Sequence, residues 1–291
     1  MFGPRARELF VASFTVLMRS WQPVAVVSVV MFVGQALMWS FVSLGLDRVF
    51  AGDFAEAVDR ALRLGSTPGG SPTDDDIEFF ESIEFDLTAA AVLWFAAAVL
   101  VAWVSYGVTV IGWLRAMTAG RNGVRLAPTR AIIEALRRFP RTAIAVVAVT
   151  LPFAVAVVGL SALLALEPLL FILLMVPLAV LGFVWALFMT VTVATASIAP
   201  RGTAAIRTAV ALIRRQRSHA AKCLVMSILP AMVVGFGGGL LGQFGLVFGL
   251  WGYLAMTTVS GVVQAAVQTA ALAAMYISLS GETDPALVGS A

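Results

Sequence analysis

The sequence predicts an all-α membrane protein: a polytopic bundle of six transmembrane helices with three cytoplasmic amphipathic surface helices. Only 12% of the 291 residues are charged, 60% are hydrophobic, and the mean hydropathy is +0.97. In a soluble protein about a quarter of the residues are charged. A soluble fold with so few polar residues could not cover this much apolar surface. Long apolar segments also alternate with arginine-rich ones. We therefore expect residues 1–291 to form a single integral membrane domain.

The spans follow from the apolar segments. A bilayer core of ~30 Å requires about 20 apolar residues in a helix. Six segments meet this requirement or nearly so: 23–46, 87–114, 143–166, 169–199, 222–248 and 251–279. Pro152, Pro177 and Pro230 lie inside these segments, where packed membrane helices tolerate proline as a kink. The turn between the last two segments is fixed only to within several residues.

The charged residues are segregated by sign. Eleven of the sixteen acidic residues lie in 47–86, which we predict to be an acidic extracytoplasmic loop with two short helices. Arginine dominates the N-terminal segment, 115–141 and 200–222. Positive charge in short loops stays in the cytoplasm. Both termini are therefore predicted to be cytoplasmic, with outer turns at Glu167–Pro168 and near 242–251, and the composition favours a bacterial cytoplasmic membrane.

Each basic segment also has the spacing of an amphipathic helix that leads into a span. The predicted apolar face of the N-terminal segment consists of Phe10, Phe14, Leu17 and Trp21. That of 115–141 consists of Ile132, Leu136 and Phe139, and that of 200–222 consists of Ile206, Ala209, Val210 and Ile213. Arg137 precedes Pro152 by 15 residues, and Arg215 precedes Pro230 by the same 15. We interpret this as a repeat of surface helix, span, outer turn and span, used three times, a known way to build membrane bundles.

The basic residues admit two interpretations. In the first, cytoplasmic loops simply collect arginine, as they do in most membrane proteins. In the second, the helices lie in the headgroup layer and their arginines bind anionic lipid, at ~1 kcal/mol per charge. The predicted lipid-binding residues are Arg137, Arg138, Arg141, Arg207, Arg214, Arg215 and Arg217.

Neutral polar residues within the spans are the only sign of an internal site. Gln264 and Gln268 are four residues apart on one face of the last span, and Gln35 lies in the first. Interhelical hydrogen bonds are the ordinary explanation; the alternative is a polar cavity for a lipid headgroup or small substrate. Similarly, the glycines at 235, 238, 239, 242, 245 and 249 indicate close helix packing, with a broken helix at a binding site as the alternative.

The sequence offers little for catalysis. A single histidine and a single cysteine exclude a two-histidine metal motif and an internal disulfide. We expect His219 to be a solvated surface residue and Cys223 to pack as a small apolar one. Nucleotide-binding, nucleophile-elbow and zinc motifs do not occur. The sequence therefore predicts neither catalytic nor metal-binding residues, and no cofactor.

One stretch resembles a known family. Residues 177–230 read PLAVLGFVWALFMTVTVATASIAPRGTAAIRTAVALIRRQRSHAAKCLVMSILP, a span, a proline-containing turn, a surface helix with the pattern AI…A…L…R, and the next span. This resembles the bacterial glycerophosphoryl diester phosphodiesterase membrane-domain family and related uncharacterised six-helix families. The likeness covers most of the chain through a loose, mainly hydrophobic pattern. It implies a fold and a membrane location without an activity, because the family is named for a fused catalytic domain that these residues do not contain.

Together these features predict a non-enzymatic membrane protein that acts as a lipid-contacting scaffold or accessory subunit. The alternative is a transporter or lipid-handling protein with a polar path between helix repeats, and an enzyme is the third option. We expect its partners to be membrane lipids and either another membrane protein or further copies of itself, and not nucleic acid.

Overall fold

The computed structural model describes residues 6–66, 71–83, 86–121, 123–166, 170–198 and 205–280, and within these ranges all regular structure is helical. The helices are α1 (Ala6–Arg19), α2 (Trp21–Val49), α3 (Phe54–Ser66), α4 (Asp74–Ser82), α5 (Ala89–Arg121), α6 (Pro128–Leu166), α7 (Leu170–Ile198), α8 (Ala205–Arg215), α9 (Arg217–Gly245) and α10 (Gly249–Ser280). A short 3₁₀ turn, Leu246–Phe248, joins α9 to α10. The predicted Glu167–Pro168 turn and the tail 281–291 lie outside the described residues.

Five helices in the described ranges are long and apolar enough to cross a membrane: Trp21–Val49, Ala89–Gly120, Pro128–Gly159, Pro177–Ile198 and Trp251–Ser280. The predicted fifth span, 222–248, falls in α9, where the described residues give a shorter apolar helix, Met232–Gly245. The described structure is thus a helical bundle with five candidate spans.

The outer surface of these helices is apolar. In the most apolar stretch of α6 only 11% of the residues are buried. The side chains of Val155, Val158 and Ile144 are each more than half exposed along it. Soluble proteins rarely expose apolar patches larger than a few hundred Å². Lipid must cover this surface, and the chain is a multi-pass membrane protein.

Helix boundaries near the basic segments differ from the prediction. The helix α5 continues to Arg121, so the predicted loop beginning at residue 115 is helical at its start. The helix α6 is a single element that runs through Pro140 and Pro152 without a break. By contrast, single non-helical residues, Ser20 and Gln216, separate α1 from α2 and α8 from α9. Proline is accommodated in α6 because packed membrane helices can re-satisfy the carbonyl that proline leaves free.

The chain divides into two compact units. The first unit comprises Met1–Val27, Gly107–Val233 and Gln264–Ala291, and the second comprises Ser28–Tyr106 and Val234–Val263. In the first unit, small side chains of α10 such as Ala270, Ala273 and Ala274 are buried. Ala274 forms part of a core with residues of α7, α8 and α9, including Leu187, Ile213 and Leu224. Small residues let membrane helices approach closely, which increases their van der Waals contact.

In the second unit, the glycine-rich end of α9 packs against the start of α10. A Cβ atom at Gly238 would lie 1.4 Å from the Ser260 hydroxyl, and one at Gly245 would lie 2.6 Å from the carbonyl oxygen of Gly252. The turn between the helices uses Gly249 at φ +76°, a conformation that other residues rarely adopt. The glycines thus allow close packing of the antiparallel helices α9 and α10, which is the first of the two interpretations given for their spacing.

Candidate functional site

The basic residues of the first unit form the candidate site. Six of the predicted lipid-binding arginines have exposed side chains, and they lie on α6, α8 and the first residue of α9: Arg137, Arg141, Arg207, Arg214, Arg215 and Arg217. We call these six residues the arginine surface. Glu134 is the only acidic residue in α6, α8 and α9, so these helices carry a large excess of positive charge.

Arg138 does not belong to this surface. Its side chain is half-buried, and Nη1 donates hydrogen bonds to the backbone carbonyls of Ser197 and Ile198, at 2.9 and 3.1 Å. These carbonyls end α7, where they lack partners within the helix and carry the negative end of its dipole. Arg138 therefore caps α7. Its predicted assignment as a lipid contact needs correction, because its guanidinium is already used within the protein.

The apolar face of α8 is covered by protein. Ala205, Ala209 and Ile213 are buried, whereas Ile206 and Val210 are half-buried, so the predicted face is the one that packs inward. The residues that cover Ala209 and Ile213 come from α7, α9 and α10. In this structure the helix therefore presents its arginines outward and does not rest its apolar face on lipid.

The other two predicted apolar faces are oriented differently. On α6, Leu136 is more than half exposed, and the buried positions are instead Ala131, Ala135 and Thr142. In the N-terminal segment, Phe14 of α1 and Trp21 at the start of α2 are both exposed, and the side chain of Phe10 lies outside the described residues. The predicted apolar face is the buried one in α8, whereas in α6 and α1 it is at least partly exposed, because periodicity cannot distinguish protein from lipid as the apolar environment.

A buried ion pair in the first unit was not anticipated. Arg115 on α5 has only 6% of its side chain exposed, and its Nε donates to Glu134 Oε2 of α6 at 2.9 Å, with Nη2 contacting the same oxygen. The more exposed Arg130 contacts the other carboxylate oxygen, Glu134 Oε1, at 3.3 Å. Both Arg115 and Glu134 belong to the segment 115–141 that the sequence predicts to be cytoplasmic, and no contact between them was predicted. One sequence feature could have indicated this ion pair: Glu134 is the single acidic residue within the basic segment 115–141.

Neighbouring polar contacts fix the same part of α5. The Ser20 hydroxyl donates to the carbonyl of Ala116 at 3.2 Å, and Trp113 Nε1 donates to the carbonyl of Val24 at 3.0 Å. All four residues belong to the first unit. A Cβ atom at Gly120 would lie 2.2 Å from the Ser20 hydroxyl, so glycine permits this approach. These contacts hold Arg115 in place beside Glu134.

His219 is also more constrained than predicted. Its ring is half-buried, and Nε2 lies 2.7 Å from the hydroxyl of Ser278 on α10 and 3.5 Å from Cys223 Sγ. The expectation of a solvated surface histidine is therefore wrong, because α10 covers the ring. Cys223 is buried in the core cluster, as expected for a small apolar side chain.

The predicted polar residues of the spans are half-buried. Gln264 and Gln268 lie on one face of α10 in the first unit, and Gln35 lies on α2 in the second. Within the described residues of the first unit, the buried hydroxyls of Thr109, Thr142 and Thr192 have no hydrogen-bond partner. The polar cavity stays a prediction.

In the second unit, Arg60 organises the acidic segment. Its guanidinium on α3 contacts Glu56 at 2.7 Å and Asp75 of α4 at 3.1 Å, and it lies 4.2 Å from the ring centre of Phe79. The hydrogen bond to Glu56 is the main reason that the pKa of Arg60 is raised. Arg60 therefore links the two short helices that the sequence predicts in this segment.

Helix α4 begins with a capping box. The backbone N–H of Asp76 donates to the Thr73 hydroxyl at 3.2 Å, and the Thr73 backbone N–H donates to Asp76 Oδ2 at 3.1 Å. The Thr73 hydroxyl also donates to Asp76 Oδ2 at 2.7 Å, and the two bonds that this carboxylate accepts, from the hydroxyl first and the backbone N–H second, lower the pKa of Asp76. Thr73 therefore caps the N-terminus of α4.

Comparison with known proteins gives no relative for this site. The chain matches no protein-family model, no curated protein and no solved structure. The resemblance to the glycerophosphoryl diester phosphodiesterase membrane-domain family accordingly stays a prediction, and the function must be argued from the residues themselves.

Proposed function

We propose that this chain is a non-enzymatic protein of the bacterial cytoplasmic membrane that binds anionic lipid through its arginine surface and serves as a scaffold or accessory subunit. The observation that carries the proposal is the exposure of six arginines on three helices whose only acidic residue, Glu134, is already paired. Uncompensated charge of this density at a membrane boundary attracts phosphate headgroups.

The proposed topology has six spans with both termini in the cytoplasm. In this proposal α9 is the fifth span in chain order, in addition to the five candidate spans, and it is 29 residues long and contains no charged residue after Lys222. A helix of that length is about 43 Å long at 1.5 Å per residue, enough for a ~30 Å hydrocarbon core. The arginine surface is then cytoplasmic and the acidic segment extracytoplasmic, in agreement with the bias of basic residues.

The proposed threefold repeat has support from the elements that follow each basic segment. A short helix leads into a long one at α1–α2 and at α8–α9, and in α6 the two are fused. The resemblance to the phosphodiesterase membrane-domain family belongs to the same proposal, since that family is built from such units. A repeat of this kind places basic residues at corresponding positions on one side of the membrane.

Lipid selectivity tests the proposal. The triple substitution Arg207→Gln, Arg214→Gln and Arg215→Gln removes three charges from α8 without touching its buried face. At ~1 kcal/mol per charge, we expect preferential binding of phosphatidylglycerol over phosphatidylcholine to weaken by up to about a hundredfold. Native mass spectrometry of lipid adducts in mixed nanodiscs measures this preference.

Two matched controls separate charge from structure. The corresponding triple substitution to Lys keeps the charge and should retain the preference. Arg48→Gln removes an exposed arginine of the second unit, on the predicted extracytoplasmic side, and should leave the preference unchanged. If the triple Gln variant folds and still selects phosphatidylglycerol as strongly as the wild type, the arginine surface does not bind lipid and the proposal is wrong.

The scaffold role predicts a stable protein partner or a homo-oligomer. Purification from native membranes in mild detergent, followed by mass spectrometry of the intact assembly, should recover stoichiometric protein in addition to lipid. Recovery of a monomer alone, together with loss of solute flux in proteoliposomes when Gln264 and Gln268 are replaced by Leu, would favour the transporter alternative.

A further inference from the structure

Helix α1 exposes large apolar side chains on its outer face. Val11, Phe14 and Met18 of α1 and Trp21 at the start of α2 follow a helical spacing, and all four are exposed, Met18 to 68% and Trp21 to 59%. On the opposite side Ser13, Val16 and Ser20 are buried, Ser20 to 2% exposed. Large apolar side chains exposed together on one face indicate an apolar environment outside α1.

The outward face of α1 does not require water. Its one neutral polar residue among the exposed apolar ones, Thr15, donates its hydroxyl to the carbonyl of Val11 at 2.9 Å. The inward-facing Ser20 donates to the carbonyl of Ala116. Because both hydroxyls are satisfied within the protein, contact of this face with hydrocarbon carries little polar desolvation cost.

The position of α1 specifies which apolar environment it meets. A single residue, Ser20, separates α1 from the candidate span α2, so the end of α1 is held at the membrane boundary. Trp21 stands at this junction, and tryptophan favours the interface between headgroups and hydrocarbon. Amphipathic helices at such positions lie in the interface plane with their apolar face among the acyl chains.

A groove on the same face ends at a positive charge. Val11, Phe14, Thr15, Met18 and Arg19 line a shallow groove of about 490 Å³. Its walls are almost entirely apolar, and Arg19 supplies the one charged group among the side chains that the structure describes. An acyl chain matches the apolar walls, and a guanidinium forms strong bidentate hydrogen bonds to phosphate. The charge therefore favours an anionic phospholipid over a second protein helix as the occupant.

We infer that α1 lies in the cytoplasmic leaflet, with Val11, Phe14, Met18 and Trp21 among the acyl chains and Arg19 against an anionic phospholipid phosphate. The inference rests on the proposed topology for the choice of leaflet, and it concerns residues that are separate from the arginine surface. It also distinguishes α1 from α8, whose apolar face is covered by protein. Of the two, α1 inserts into lipid and α8 presents charge to it.

Site-directed spin labelling tests the inference. Cys223 is the single cysteine, and replacing it by Ala gives a background for labels at Met18→Cys, Trp21→Cys and, as a matched control, Arg207→Cys on α8. In vesicles of phosphatidylglycerol and phosphatidylcholine, the labels at 18 and 21 should be more accessible to oxygen than to Ni-EDDA. The label at 207 should show the opposite preference.

Three results would overturn the inference. Labels at 18 and 21 that are more accessible to Ni-EDDA would place this face in water. Labels shielded from both reagents would mean that protein covers it, for example a second copy. In a second measurement, Arg19→Gln should make the label at 18 shallower in phosphatidylglycerol vesicles while Arg19→Lys does not; equal depth in all three would exclude the phosphate contact. Loss of lipid selectivity in the α8 variants moves none of these readouts, so the two proposals fail separately.

Discussion

At the scale of single residues, whether an arginine is exposed or bonded within the protein depends on the acceptors near its guanidinium. Arg137 and Arg138 are adjacent in sequence, yet Arg137 is exposed while Arg138 is bonded to the end of α7. A helix turns by about 100° per residue, so neighbours point in different directions. Composition alone predicts a lipid contact for both arginines. They differ because the end of α7 lies within hydrogen-bond distance of Arg138.

This contrast gives the first prediction. Arg138→Met removes two charge-assisted hydrogen bonds from the carbonyls of Ser197 and Ile198, which should lower the free energy of unfolding by about 1.5–3 kcal/mol. Arg137→Met, at an exposed position, should change it by less than about 0.5 kcal/mol. Denaturant unfolding in mild detergent measures both, and equal effects would contradict the capping role.

The second prediction concerns the buried pair. Glu134→Gln leaves the guanidinium of Arg115 buried without its counter-charge, and breaking a buried pair in this way costs about 3–5 kcal/mol. Arg130→Gln removes only the exposed partner, worth about 0–1 kcal/mol. The double variant Arg115→Met, Glu134→Met should recover much of the loss, since it buries no charge. A Glu134→Gln variant as stable as Arg130→Gln would show that the pair is solvated.

At the scale of helices, close packing in the second unit depends on which glycines face a neighbour. Gly238 lies against Ser260, whereas among the described residues nothing approaches a Cβ atom at Gly239 within 4 Å. The sequence shows overlapping glycine spacings and does not identify the contacting set. Which glycines contact α10 depends on how α9 is rotated about its own axis. The close approach of Gly245 to Gly252 fixes this rotation.

Adjacent glycines therefore provide a matched pair of variants. Gly238→Ala places a methyl group 2.7 Å from Ser260 Cβ, which forces the helices apart and should cost about 1–3 kcal/mol. Gly239→Ala meets no neighbour among the described residues and should stabilise α9 by about 0.5–1 kcal/mol. Midpoints of thermal unfolding in detergent should move in opposite directions; a shift in the same direction would place α9 in a different rotation.

The capping box of α4 gives a prediction about pH. The pKa of Asp76 is lowered in the folded protein, so its contribution is complete above the unfolded value near 3.9 and is lost only as the pH falls through the lower folded value. Protection of α4 amides, corrected for intrinsic exchange, should be equal at about pH 7 and pH 5. Asp76→Asn should reduce protection at neutral pH by weakening the cap, whereas Glu78→Gln, outside the box, should not.

A loss of α4 protection in wild-type protein between those two pH values would mean that the Asp76 carboxylate is not held by Thr73. Equal protection in the Asp76→Asn and wild-type proteins would mean that Arg60 alone holds α4 in place. Hydrogen exchange resolved to the α4 peptide separates these outcomes.

Much of the helical framework was predictable from apolar periodicity and length. The predicted segments 23–46, 169–199 and 251–279 fall on α2, α7 and α10 with ends a few residues away. The unbroken α6 was not predictable, because a proline at position 140 and the charged run before it are typical of a helix end. The contacts of Arg115, Arg138 and His219 were missed for a different reason: each joins residues far apart in the sequence, and periodicity reports only local order.

At the scale of the whole molecule, the proposed lipid contacts require each charged segment to lie on a particular side of the membrane. The arginine surface belongs to α6, α8 and α9, and the acidic segment lies between α2 and α5. If the chain crosses the membrane as proposed, charge of opposite sign is separated across the bilayer. The lipid contacts proposed for the arginine surface and for α1 then fall on the cytoplasmic side together.

Cysteine accessibility in intact cells tests this arrangement most directly. In a Cys223→Ala background, Arg137→Cys and Arg207→Cys should react with a membrane-impermeant maleimide only after the cytoplasmic membrane is permeabilised, whereas Asp75→Cys should react in intact cells. If Arg137→Cys and Arg207→Cys are labelled from opposite sides, or Asp75→Cys from the same side as both, the proposed topology is wrong.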